Sequence, residues 1–194
     1  HLARTLLLIA APAATGLALV AQPLSDVMIG EDMRAQAASI MPWIALSGLI
    51  NGFVLHYVSE AYQLSHRTDL RAWLMLIPAL ANLALNAILL PWIGLMGAVY
   101  STVACYALAL LLLAGVARKL APLSWPWRDF LKVAGACSAM AIAVRMAPST
   151  GGMTELLMKA SVGATIYVMT ALVLDAAGAR AALQQFTSRR ARRV

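Results

Sequence analysis

The chain has 194 residues, of which 62% are hydrophobic and only 12% charged, and its net charge is +7. A water-soluble domain is nearer half apolar and about a quarter charged, so that class is excluded. The basic excess belongs on loops facing anionic headgroups, and no nucleic-acid surface is expected.

Apolar stretches close to the roughly 20 residues that carry a helix across a bilayer recur six times. With no water there to satisfy backbone groups, helices are the expected form. The fold class is therefore all-α, a polytopic membrane helix bundle with six transmembrane helices. Residues 1–117 hold the first four. The first, 5–25, leads outward and is expected to kink at Pro12 and Gly16. Residues 26–39 form an external joint with Asp26, Glu31 and Asp32, and 40–63 return inward. A short basic joint (His66, Arg67, Asp69, Arg71) precedes the third span, 72–92. The turn Pro91-Trp92-Ile93-Gly94 fits only a helical hairpin, so the fourth span, 95–117, comes straight back.

Residues 118–131 read as a cytoplasmic interfacial connector, where Arg118, Lys119 and Arg128 mix with Trp125, Trp127 and Phe130. An appended helix pair occupies 132–180, with spans near 130–147 and 155–176, and 181–194 form a basic cytoplasmic tail. The basic residues crowd into alternate joints: of the 15 Lys and Arg, only Arg34, Arg145 and Lys159 fall on the outer side. That sorting places both termini in the cytoplasm. Trp43, Trp73, Trp92, Trp125 and Trp127 fall at or just beyond span ends, where indoles prefer the headgroup layer.

Within the second span Gly48, Gly52, His56 and Glu60 recur every four residues, with Ser59 and Gln63 adjoining, so they share one helix face. Ionisable groups at membrane depth are costly and face a bundle interior or a wet cavity. Gly52, His56 and Glu60 are accordingly read as lining a cavity; the plainer alternative is a His–Glu pair that locks two helices together. In the third span Pro78, Asn82 and Asn86 share the same spacing. Asn86 is read as glue between helices and Asn82 as either glue or cavity lining. Gly94-Ala98-Thr102 and Gly97-Ser101-Cys105 are rows of small residues that let helices approach closely. Glu155 and Lys159 are four apart, and Arg145 ends the preceding span, where long cations normally reach for phosphates. Cys105 and Cys137 lie in separate spans without CxxC spacing or a neighbouring His, so no metal or cofactor is expected. No glycine loop for phosphate and no catalytic cluster is present in the sequence; no catalytic residue is assigned, and the chain is not expected to be an enzyme.

The run from Asn82 to Thr102, with its two asparagines, Pro91, Gly94, the Gly97-Ala98 pair and Ser101-Thr102, resembles a recurring stretch of polysaccharide flippases. These belong to the multidrug/oligosaccharidyl-lipid/polysaccharide exporter superfamily. The stretch Leu24 to Gly30 followed by Glu31 and Asp32, and the run Leu46-Ser47-Gly48-Leu49-Ile50-Asn51, resemble the family as well. The likeness covers 6–119, and the last two spans share only hydropathy. The resemblance implies the last six spans of such a protein: four from the second lobe, then the appended pair. The missing N-terminal transmembrane lobe would be a partner, alongside the lipid bilayer and a lipid-linked glycan substrate. It further implies flipping of polysaccharide or lipopolysaccharide precursors across the bacterial inner membrane by alternating access. The chain begins with His1 and enters an apolar span within a few residues, so it is expected to be a piece of a longer protein. Two alternatives stay open: a membrane-embedded enzyme of envelope assembly, and a structural six-helix accessory subunit.

Overall fold

The computed structural model of the chain describes residues 2–121 and 127–175. Among these every regular element is helical. In chain order they are α1 (Leu2–Leu19), α2 (Ala21–Met28), α3 (Glu31–Phe53), a π-helical turn (Val54–Val58), α4 (Ser59–Leu64), α5 (Thr68–Ile93), α6 (Leu95–Leu120), α7 (Trp127–Met146) and α8 (Gly152–Val173). The all-helical class expected from the sequence is observed.

Four of these helices are long and apolar enough to cross a membrane: the rod Glu31–Leu64, α5, α6 and α8. The pair α1–α2 makes a fifth if its two bent arms count as one span. The helix expected near 130–147 is present as α7, but Arg128, Asp129, Lys132 and Arg145 keep its 20 residues outside that set.

Several boundaries differ from the sequence reading, each for a local reason. The joint expected over 26–39 is mostly helical, because α3 starts at Glu31 with Gly30 as its N-cap. Glu31 and Asp32 then fall in the first turn, where carboxylates complement the helix dipole. The Arg34 Nε donates to the Ile29 carbonyl at 2.9 Å and tightens the joint to α2. At 34 residues the α3–α4 rod is roughly 50 Å long, more than a bilayer core needs, so its polar first turns project beyond the apolar zone. The connector expected over 118–131 is shortened from both sides, since α6 runs to Leu120 and α7 starts at Trp127. Trp125 and the arginines of the tail lie outside the described residues.

The bend expected at Pro12 or Gly16 occurs later, as a 64° angle between α1 and α2 around Val20. Pro23 accounts for it: a proline lacks the N–H that would bond the Leu19 carbonyl, and its ring crowds that group. Pro12 stays inside a continuous α1. The carbonyl it frees, that of Leu8, accepts a hydrogen bond from the Tyr167 hydroxyl of α8 at 2.8 Å. A neighbouring helix thus supplies the donor that the proline removed.

The α5–α6 hairpin turns on Gly94 alone, whose φ of 65° suits glycine. Pro91, Trp92 and Ile93 remain in α5. A Cβ at Gly97 would lie 2.5 Å from the Leu89 carbonyl oxygen, so only glycine permits this approach. Gly97, Ser101, Cys105, Ala109, Leu113 and Ala117 continue down α6 as one buried row.

The core gathers where α1, the π turn, α4, α6 and α7 meet, with Leu7, Val54, Val58, Tyr62, Leu113 and Val133 buried together. There the Tyr62 hydroxyl donates to the Leu113 carbonyl at 2.8 Å. Arg4 pairs with Asp129 at 2.8 Å, and Lys132 Nζ donates to the Asp175 carbonyl at 3.3 Å. These links place the starts of α1 and α7 and the ends of α4, α6 and α8 at one end of the bundle. Arg67, Arg71, Arg118, Lys119 and Arg128 belong to the same end, while Arg34, Arg145 and Lys159 belong to the opposite one. Trp73 and Trp127 are exposed at the basic end, and Trp92, 87% exposed, at the other.

Candidate functional site

The α3–α4 rod is two-faced. Phe53, Val54, Tyr57, Val58, Ser59, Ala61 and Tyr62 are buried against the bundle, whereas Gly48, His56, Glu60 and Gln63 are exposed and Gly52 is half-buried. Four-residue spacing drifts by about 40° per step around an uninterrupted α-helix. The wider π turn at Val54–Val58 runs part of that drift back, which keeps Gly52, His56 and Glu60 near one line. Ser59 closes the turn by donating from Oγ to the Val54 carbonyl at 2.6 Å. Nothing in the residue types foretold this turn, which contains neither Gly nor Pro.

Within the described residues His56 and Glu60 make neither a hydrogen bond nor an ion pair, so no helix-locking His–Glu pair forms. A Cβ added at Gly48 or Gly52 would meet open space. The stripe is therefore a shallow polar track on the outer wall of this helix set.

Asn82 lies elsewhere. It faces a groove of about 330 Å³ between α5 and α6, lined by Met75, Pro78, Thr102, Cys105 and Tyr106 among others and by no residue of the stripe. Ser101 of α6 donates to Asn86 Oδ1, and Asn86 Nδ2 donates to Asn82 Oδ1 at 3.0 Å. Asn86 is thus the link between the two helices.

Lys159 does not reach outward. It pairs with Glu155, and both side chains are largely buried, at 16% and 10% exposure. Glu155 also accepts the Gly151 N–H at 2.8 Å, at the start of α8. Sequence reasoning missed the Arg4–Asp129 pair; partners so far apart in the chain leave only one trace, membership of the same basic end. Among the described residues no cluster of His, Cys, Asp and Glu is arranged to hold a metal ion. No family model, no curated protein and no solved structure matches the chain.

Proposed function

We infer that the chain is the C-terminal portion of a membrane transporter that flips lipid-linked oligosaccharide or polysaccharide precursors across the bacterial inner membrane. In this reading its six helical segments all cross the membrane, with both termini in the cytoplasm, and the rod's outer face looks onto a wet passage shared with an N-terminal lobe. One observation carries it: His56 and Glu60 stand exposed, with no hydrogen bond or ion pair among the described residues, on the outer face of a membrane-length apolar helix. Insertion scales put an Asp, Lys or Arg at a helix centre at about 2.5 to 3.5 kcal/mol, and a polar side chain facing hydrocarbon is costly in the same sense, so this face favours water or a polar partner. The open surface at Gly48 and Gly52 leaves room along the track for a ligand. The family resemblance supplies the substrate class.

In the complete protein, Gly52→Cys is expected to react with a membrane-impermeant thiol reagent, and His56→Leu to depress glycan export while membrane insertion stays normal. Protection of the Gly52→Cys thiol under all conditions together with unchanged export would remove the reading.

A further inference from the structure

The amide chain between α5 and α6 has a direction. The single hydroxyl hydrogen of Ser101 lies within reach of Asn86 Oδ1 and of the Ala98 carbonyl, and Asn86 passes a hydrogen bond from Nδ2 to Asn82 Oδ1. Each carboxamide accepts on oxygen and donates from nitrogen. The relay therefore ends on Asn82 Nδ2, which has no acceptor among the described residues and belongs to a residue lining the groove. Such chains polarise their members, which strengthens the terminal donor.

The rest of the groove complements that donor. Thr102 gives its hydroxyl hydrogen to the Ala98 carbonyl at 2.8 Å, which leaves its oxygen free to accept. The Tyr106 hydroxyl makes no hydrogen bond among the described residues and can do either. Pro78 and Met75 supply apolar wall, and no Asp, Glu, Lys or Arg lines the groove. A phosphate or carboxylate would call for a cation, since charge-assisted pairs are the strong ones. Neutral donors and acceptors beside apolar surface suit a ring bearing hydroxyls. The volume, about 330 Å³, is at the low end for small-molecule sites.

We propose that the α5–α6 groove binds one uncharged, hydroxyl-bearing sugar ring, with Asn82 Nδ2 donating to it and the Thr102 and Tyr106 oxygens completing the contact. The proposal goes beyond the transporter reading, whose wet face is the rod, and requires that water also reach the α5–α6 groove.

The test uses the full chain in phosphatidylcholine nanodiscs, with Cys105→Ala and Cys137→Ser removing the native thiols and Ala79→Cys placed on the exposed rim of the groove. Labelling by a water-soluble thiol reagent is followed with methyl β-glucoside, with glucosyl-diacylglycerol, or with plain diacylglycerol. Labelling is expected to be slowed by the glucose-bearing probes and not by plain diacylglycerol. Slowing by both glucose probes assigns recognition to the sugar itself; slowing by the glycolipid alone assigns it to a lipid-borne headgroup. Asn82→Leu should raise the half-protecting concentration about tenfold, the effect of one lost hydrogen bond. Thr102→Val, a milder change that leaves the amide chain in place, should raise it severalfold. Free labelling that no glucose probe slows, or equal slowing by diacylglycerol, overturns the proposal and leaves the transporter reading standing. Absence of any labelling from water also overturns the proposal and leaves the transporter reading to the Gly52→Cys test.

Discussion

The two edges of this bundle are built differently. At the basic end, side chains from five elements converge, and Val54, Tyr62 and Leu113 are wholly buried there. In α5, by contrast, Pro78 is the buried residue, and the helix leans on α6 with most of its Leu and Ile side chains facing outward. One region is fixed by many mutual contacts, the other by a close backbone approach and a short chain of amides. The first reads as the fixed part of the assembly. The second presents apolar surface that lipid or another protein must cover, with the polar α5–α6 groove cut into it.

The largest test of this contrast is Leu113→Ala. It empties the centre of the packed end and should lower stability by about 2 to 5 kcal/mol in thermal or steric-trapping measurements. A loss below about 1 kcal/mol would show that end to be no tighter than the hairpin. Next comes Gly97→Ala, which drives a methyl into the Leu89 carbonyl and should cost about 1 to 3 kcal/mol. Here crosslinking between cysteines on facing turns of α5 and α6 should fall, while the Tyr62–Leu113 region is undisturbed. The smallest and sharpest is Tyr167→Phe, which leaves the Leu8 carbonyl without its donor and should cost about 1 kcal/mol. In a Pro12→Ala background the restored backbone N–H takes that carbonyl, so the same change should cost almost nothing. Equal costs in the two backgrounds would mean that the proline and the tyrosine are not coupled.

Much of this arrangement could be read from residue order, because the bilayer imposes simple rules on composition. Long apolar runs became helices, the Gly94 turn became a hairpin, and the cations among the described residues gathered at two opposite ends. Asn86 was legible as an interhelix link because a carboxamide on an apolar helix needs a partner. The misses share a cause too. Pro12, Pro23 and Pro78 look alike in sequence, yet of the three only Pro23 coincides with a large bend, and at Pro12 a hydroxyl 159 residues away meets the freed carbonyl. The π turn depends on Ser59 reaching back five residues, a choice that backbone packing makes and spacing does not reveal. Periodicity put Asn82 and the His56–Glu60 track in the same class, though the topology sends them to separate surfaces. Only the three-dimensional placement of helices could have parted them.

The elbow at Val20 has a bearing on how the protein is made. It lays α2 against α3 and also against α8, the last described helix, while Tyr167 of α8 fastens onto α1. A ribosome delivers α1 and α2 well before α8, with most of the described chain made in between. Until α8 is made, the Leu8 carbonyl lacks its Tyr167 donor and the elbow rests on α3 alone, so this corner of the bundle locks only when α8 arrives.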